Sequence, residues 1–157
     1  MGQFILVQSS SKAEKDVYFQ AGLKIFNDLD FGHPLGCIES PDSSIAKFKK
    51  INAATTNIIT HDSSWFLEAG SCFIDGNLID RVDKQTLFGK AEKKSSSFFK
   101  SIDGTFCLAY GNTKNGLTTI VTDRIGTLHV YKVKLGKTTI ISTSSLVLAA
   151  LAQPEWD

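Results

Sequence analysis

The chain is 157 residues long, the length of a single domain, and a domain of this size buries roughly two thirds of the surface of its unfolded chain. Hydrophobic residues make up 42% of the sequence and charged residues 21%, which excludes disordered, collagen-like and coiled-coil proteins. Seventeen basic and sixteen acidic residues give a formal net charge of +1, so no whole-molecule field attracts nucleic acid or an anionic membrane. We therefore expect a globular protein with neither as a partner.

The first residues and the cysteines both indicate a cytoplasmic protein. The apolar run near the start, Phe4–Gln8, is too short for a signal peptide or a membrane anchor and has no basic leader. Cys37, Cys72 and Cys107 lie in apolar sequence without a CxxC pair or histidines at metal-ligand spacing. This pattern predicts buried thiols in a reducing compartment.

Two short lysine clusters are the main concentrations of positive charge. One contains Lys47, Lys49 and Lys50, and the other contains Lys90, Lys93 and Lys94. Clusters of this length are typical of solvated faces, and we interpret both in that way.

The first half of the chain predicts a strand, a long helix and then shorter strands. Phe4–Gln8 is typical of a strand buried on both faces. From Lys12 to Leu29, apolar residues recur at every fourth position, which predicts one face of a helix. Glycines and prolines between Asp30 and Ser44 predict a loop with one short strand at Cys37–Glu39. Further strands are predicted at Ile45–Ile51, Asn57–Thr60 and Ser64–Ile74.

The second half predicts a helix, four strands and a final helix. Asp75-Gly76 is a turn dipeptide, and Lys84–Ile102 has the pattern of a surface helix. Ser144 or Ser145 can cap a last helix that Pro154 ends. Turn sequences separate the intervening strands and predict a meander of hairpins. These strands are Thr105–Tyr110, Leu117–Thr122, Leu128–Val133 and Thr138–Ser142. Strands and helices arrive in blocks, which favours an α+β fold.

Three segments of the second half resemble a known family. SIDGTFCLAYGN (Ser101–Asn112), TIVTDRIGTLHVYKV (Thr119–Val133) and TTIISTSSLVLAAL (Thr138–Leu151) look like the second half of class II glutamine amidotransferase domains of the asparagine synthetase family. The resemblance implies a four-layer αββα sandwich of the N-terminal nucleophile hydrolase type, with two stacked, largely antiparallel sheets. The ending Leu148–Asp157 resembles the junction to a synthetase domain. Residues 1–157 would then form the N-terminal domain of a longer asparagine-synthetase-like protein.

The matching segments contain residues with simple structural interpretations. Gly104 is expected to permit a tight turn before the strand of Phe106, and Gly126 a turn between paired strands. A charge-assisted bond between Asp123 and Arg124 can stabilise that second turn. The motif residues are Asp103, Gly104, Phe106, Asp123, Arg124 and Gly126.

The resemblance also implies catalytic residues that this sequence lacks. A glutaminase of this class attacks the amide with the N-terminal cysteine of the mature chain, and Gly2 stands at that position. In place of the family's Asn-Gly-Glu segment, which supplies the oxyanion hole, the chain has Ala69, Gly70 and Ser71. An acidic residue that holds the substrate amine would correspond to Asp83, and Phe31–Gly36 replaces an arginine-containing loop. We expect a vestigial pocket without glutaminase activity.

Three functions remain open at this stage. The first is a non-catalytic domain that scaffolds or regulates an ATP-dependent amide-forming synthetase domain, as in lasso-peptide cyclase-like proteins. The second is a residual amidohydrolase that uses Cys37 or Cys72 as its nucleophile, and His33, four positions before Cys37, is the candidate base for the first of these. The third is a pseudoenzyme that binds a peptide or an amino-acid-like ligand.

Cofactors and partners follow from the first of these functions. No cofactor or metal is expected in this domain, whereas ATP and magnesium are expected for a downstream synthetase domain. The expected partners are that C-terminal domain and a second copy in a homodimer.

The histidines His33, His61 and His129 are interpreted as structural. Trp65 is predicted to be a core residue and Trp156 to belong to the interdomain junction.

Overall fold

The structure is a computed structural model that describes residues 3–49, 58–93, 96–114, 116 and 118–153. These residues form ten strands, four α-helices and a 3-10 turn, and the strands make two antiparallel sheets. The predicted α+β class is therefore confirmed. The chain divides into two compact units. One contains the described residues before Ile58 and from Val130 onward, and the other is Ile58–His129.

The first unit is a five-stranded antiparallel sheet with two helices on one of its faces. The helices, α1 (Lys12–Asp28) and α4 (Ser145–Ala152), pack on the sheet and on each other. In spatial order the strands are β2 (Gly36–Glu39), β3 (Ser43–Phe48), β1 (Gln3–Ser9), β10 (Thr138–Ser142) and β9 (Tyr131–Leu135).

The core of the first unit lies between this sheet and its helices. Phe4 and Leu6, at alternate positions of β1, are as buried as Ile5 and Val7. The central strand is thus buried on both faces, as its continuous apolar run predicts. The buried core residues on the helix side are Ile5, Val7, Phe19, Phe26, Ala46, Phe48, Ile140, Val147 and Leu148.

Helix ends and helix packing in the first unit follow from local chemistry. The Ser11 side chain accepts a hydrogen bond from the Glu14 backbone and starts α1, and the Ser144 side chain caps α4 in the same way. Gly22 lies in the middle of α1 because a Cβ there would collide with the Ile5 side chain of β1. Pro154, predicted to end the last helix, lies outside the described residues.

The second unit is a sheet of five strands with two short helices, α2 (Lys84–Glu92) and α3 (Ser96–Lys100). In spatial order its strands are β4 (Ile59–His61), β5 (Ser64–Ile74), β7 (Ile102–Asn112) and β8 (Thr118–Thr122). A short strand, β6 (Asn77–Leu78), pairs with the end of β5, and the 3-10 turn follows at Ile79–Arg81. The main buried cluster contains Phe66, Cys72, Ile74, Ile79, Leu87, Phe88, Ala91, Phe98, Ile102, Phe106 and Leu108.

Two local predictions about the second unit are confirmed. Asp75 and Gly76 both have positive φ, +50° and +77°, as a two-residue hairpin turn between β5 and β6 requires. Trp65 is a core residue with 2% of its surface exposed. Its indole ring lies across Gly111, where a Cβ would approach Cε2 to 2.6 Å.

Several predicted element boundaries are wrong; for example, the strand predicted at Thr105–Tyr110 runs from Ile102 to Asn112. The helix predicted at Lys84–Ile102 is two helices, and Ile102 instead begins β7, where it pairs with Ile74. Long-range strand pairing overrides the helical periodicity there. The strand predicted at Leu128–Val133 starts only at Tyr131. The strand predicted at Ile45–Ile51 runs from Ser43 to Phe48.

Lys47 is buried, contrary to its assignment to a solvated face. Only 2% of its surface is exposed, whereas the neighbouring Lys49 is exposed. The reason is that Lys47 belongs to β3, in which every position is buried. Lys50 lies outside the described residues.

The predicted meander of hairpins is broken in the middle. β7 pairs with β8 and β9 pairs with β10, but β8 and β9 belong to different sheets. The DRIG sequence is therefore not a hairpin turn, and residues 123–130 lead the chain from one unit to the other.

Candidate functional site

Most residues of the predicted pocket and motif meet along the pairing of β5 with β7. Gly70 is opposite Phe106, and Cys72 is opposite Gly104. The structure therefore brings together residues that lie more than thirty positions apart in the sequence. This part of the second unit is the candidate site.

Two glycines make the ladder unusual. Gly70 has φ +100° and Gly104 has φ +116°, conformations that side chains rarely adopt. A Cβ on Gly70 would collide with the carbonyl oxygen of Thr105, and one on Gly104 with that of Ser71. Gly104 thus lies within a strand, where its missing side chain allows two backbones to approach closely. The prediction that it forms a tight turn is wrong.

Asp123 organises the segment that follows β8, which we call the Asp123 loop (residues 123–128). Its carboxylate accepts hydrogen bonds from the backbone of Ile125 (3.1 Å), Thr127 (3.0 Å) and Leu128 (3.4 Å), and from the Thr127 hydroxyl (3.2 Å). Gly126 has φ +66°, and its N–H donates to the Asp123 carbonyl. One buried carboxylate therefore holds the whole loop.

The Asp123 loop is attached to the paired strands beside Gly70 and Gly104, which we call the glycine pair. The Asp123 N–H donates to the Phe106 carbonyl at 2.9 Å, directly opposite Gly70 in the ladder. The Leu128 side chain occupies the space beside Gly70, 2.7 Å from where a Cβ would lie. Leu128 was expected only as part of a strand. Its apolar character after a turn was the one signal in the sequence for this contact.

Arg124 does not form the predicted bond with Asp123. Its guanidinium donates instead to the carbonyl of Lys100, at the end of α3, at 2.9 Å. Arg124 thereby fastens the Asp123 loop to the second helix of this unit. Ile125, at the tip of the loop, is 90% exposed.

The other predicted pocket residues have ordinary structural positions. Ala69 is buried and Ser71 is exposed on β5, and Asp103 is exposed on β7. Asp83 is the N-cap of α2 and accepts a hydrogen bond from the Thr86 backbone at 2.8 Å, which lowers the pKa of its carboxyl. Gly2 lies outside the described residues, as does Trp156.

The thiols differ in exposure and share a raised pKa. Burial raises the pKa of Cys72 and of Cys107 to about 12, with smaller contributions from the charges of Glu68 and Asp123 respectively. Cys37 is exposed, so the expectation that all three are buried is wrong; it lies on β2, the edge strand of its sheet. Partial desolvation and then Glu39 raise its pKa as well.

We expect Cys37 to be the one thiol that iodoacetamide modifies in the native protein. Because its pKa is raised, the reaction should be slower than that of free cysteine at pH 7 and should accelerate as the pH rises. Cys72 and Cys107 should react only after denaturation. Mass spectrometry of the alkylated protein, with and without urea, measures this. Rapid modification of Cys72 in the native state would contradict it.

Among the described residues, the histidines do not form a metal site with other side chains. The imidazole of His61 lies 3.9 Å from the Asp62 carboxylate, and its ring centroid is 5.4 Å from that of Phe88. Within the described residues, no three His, Cys, Asp or Glu side chains are grouped so that they could hold a metal ion.

Stability should depend on the ionisation of Asp123 in acid. Hydrogen bonds, chiefly from the Thr127 backbone, lower the pKa of its carboxyl below the ordinary value of about 3.9. The stabilising contribution is therefore complete above that value and is lost as the pH falls through the folded pKa. In Asp123→Asn, the free energy of unfolding at pH 7 should be lower, and its rise with pH in the acid range smaller, than in the wild type.

Urea titrations between pH 2.5 and pH 7 measure this difference. Thr127→Val removes the hydroxyl donor and keeps the backbone donors, so it should show only part of the effect. Identical pH profiles for Asp123→Asn and the wild type would contradict the assigned role of the carboxylate.

Comparisons with known proteins give no further identification. Neither the protein-family models nor the curated proteins match this chain. Among the described helices, none combines the length and the apolar character needed to cross a membrane.

Proposed function

We propose that this chain is a degenerate glutamine amidotransferase domain of class II, which scaffolds or regulates an ATP-dependent amide-forming domain in the same polypeptide. One observation supports this most directly. Two of the three segments that resemble the family supply β7, β8 and the Asp123 loop, which pack together at the glycine pair. The third segment supplies β10 and α4 of the first unit.

The proposed fold is the four-layer αββα sandwich of N-terminal nucleophile hydrolases. Two antiparallel sheets, each with two helices in its own unit, support this proposal. In the proposed arrangement the two sheets stack face to face between the helix layers.

The chemistry of the described residues favours a non-catalytic domain. With a pKa of about 12, the Cys72 thiol would be ionised in only about one molecule in 10⁵ at pH 7. Ala69 has no side-chain donor for an oxyanion, and losing one such donor typically costs about a hundred- to a thousandfold in rate. These residues also weigh against the alternative of a residual amidohydrolase that uses Cys72.

In the proposed protein the reaction belongs to the following domain. That domain would use ATP and magnesium to adenylate a carboxylate, which an amine or free ammonia then captures. The present domain would contribute structure and contacts rather than a bond-breaking step.

The experiment compares nitrogen sources in the full-length protein. With ATP, magnesium and a carboxylate substrate such as aspartate, we expect pyrophosphate release when ammonium or an amine is present, and no release of glutamate when glutamine is the only nitrogen source. A class II amidotransferase with its N-terminal cysteine serves as the positive control for glutamate release. Glutamate formation by this protein would overturn the proposal, as would the absence of any ATP-dependent activity.

A pseudoenzyme that binds a small ligand is a second candidate function. A cavity in the second unit favours it, because two lysines and an aromatic ring line the same space.

A further inference from the structure

The second unit contains a cavity of about 370 Å³ beside α2 and α3. This volume is within the range of small-molecule sites. Lys90 lies in the last turn of α2 and Lys93 is its C-cap, and both line the same space. The described residues that line it are Lys90, Lys93, Ser97, Phe98 and Ser101.

The two lysines at this cavity differ in their ion pairing. The Lys90 ammonium is 3.1 Å from the Asp75 carboxylate, whereas Lys93 has no carboxylate within ion-pair distance among the described residues. Glu92 lies between the two lysines in the sequence, and its carboxylate accepts a hydrogen bond of 3.5 Å from the Ser64 hydroxyl. Counting only the part of the chain that the structure describes, the Lys93 charge is therefore uncompensated.

The remaining lining groups define the rest of the ligand. Phe98 is a member of the buried cluster and gives the cavity an apolar wall. The Ser101 hydroxyl donates to the Phe98 carbonyl at 2.8 Å, so its proton is already used. Lys90 and Lys93 are therefore the charged hydrogen-bond donors that a ligand in this cavity would meet.

We propose that this cavity binds a small phosphorylated molecule, with the phosphate between Lys90 and Lys93 and an apolar group against Phe98. Lysine binds phosphate as a point charge, and a phosphate monoester carries nearly two negative charges at pH 7, so it can accept hydrogen bonds from both ammonium groups at once. The proposal does not depend on the scaffolding function proposed above; it rests on the second candidate, the ligand-binding pseudoenzyme, and names the class of ligand.

A purely structural explanation of the same lysines makes different predictions. Lysines in the last turn of a helix stabilise its terminal carbonyl groups without any ligand. In that case substitutions would change stability alone, and Asp75 would have no influence on phosphate binding.

Phenyl phosphate is the probe, because it joins a phosphate to an aromatic ring. Titration of the ¹⁵N-labelled chain at constant ionic strength should shift the amide signals of Ser97 and Ser101. Inorganic phosphate should bind at the same place more weakly, and phenol should not shift these signals. Absence of shifts with phenyl phosphate would overturn the proposal.

Three single substitutions make the test specific. Lys93→Gln should weaken phenyl phosphate binding about tenfold, because a charge-assisted hydrogen bond is lost. Asp75→Asn should strengthen it about threefold, because Lys90 loses its competing carboxylate. Asparagine tolerates the positive φ of position 75, so the turn is kept.

Lys132→Gln is the matched control. Lys132 is an exposed lysine of the first unit, and its substitution changes the net charge by the same amount as Lys93→Gln. Its phenyl phosphate affinity should stay within about twofold of the wild type. Equal weakening by Lys132→Gln and Lys93→Gln, or unchanged affinity in Asp75→Asn, would overturn the proposed site.

Discussion

Gly70→Ala is expected to lower the free energy of unfolding by about 3–5 kcal/mol, the sum of backbone strain and overpacking. Gly70 has φ +100°, and its missing Cβ would collide with the Thr105 carbonyl and press on Leu128. Neither the paired strand nor the Asp123 loop can move away freely, because hydrogen bonds hold both. Urea denaturation followed by circular dichroism measures the effect.

Gly89→Ala is the matched control for this substitution. Gly89 lies within α2, and a Cβ there would have no heavy atom within 4 Å. Alanine should therefore raise the free energy of unfolding by about 0.5–1 kcal/mol, through its higher helix propensity. A Gly70→Ala protein as stable as the wild type would show that the two strands are not held at this close approach.

Lys15→Ala is expected to lower the free energy of unfolding by about 2–4 kcal/mol. Only 1% of Lys15 is exposed, and its ammonium donates to the Ser40 carbonyl at 2.5 Å and lies 3.5 Å from the Asp16 carboxylate. Ser40 belongs to the turn between β2 and β3, where its hydroxyl is 2.9 Å from that of Ser43. Lys15 therefore fastens α1 to this turn.

Two further substitutions separate the contributions of Lys15. Lys15→Met keeps most of the apolar stem and loses the hydrogen bond, so it should cost about half as much as Lys15→Ala. Lys24→Ala, at an exposed position of the same helix, should change stability by less than about 0.5 kcal/mol. Equal stabilities of Lys15→Ala and Lys24→Ala in urea titrations would contradict the role of the buried ammonium.

The candidate site was predicted in part. Gly70, Phe106 and Asp123 were singled out from the sequence, and the structure places them together. Their contacts could not be predicted, because the strand opposite Gly70 is supplied by residues more than thirty positions later. Gly104 and Arg124 were given local roles, a turn and a bond to the adjacent aspartate, but both act on distant backbone.

Local pattern was sufficient for several elements of the fold. The apolar run of β1, the helical repeat of α1 and the serine before α4 predict structure from neighbouring residues alone. Both ends of β5 (Ser64–Ile74) were predicted correctly, and the turn dipeptide that follows marks where the strand ends. Together with the order of the elements, these features determined the α+β class.

Tertiary structure decided which strands pair and where each one starts. β8 and β9 are neighbours in the sequence but join different sheets, because the buried carboxylate of Asp123 turns the connecting segment into a capped loop instead of a hairpin. Ile102 leaves the helical pattern because Ile74 is available as its partner across the ladder. Periodicity reports only which face of an element is apolar. The partner that covers this face is chosen by contacts between residues far apart in the chain.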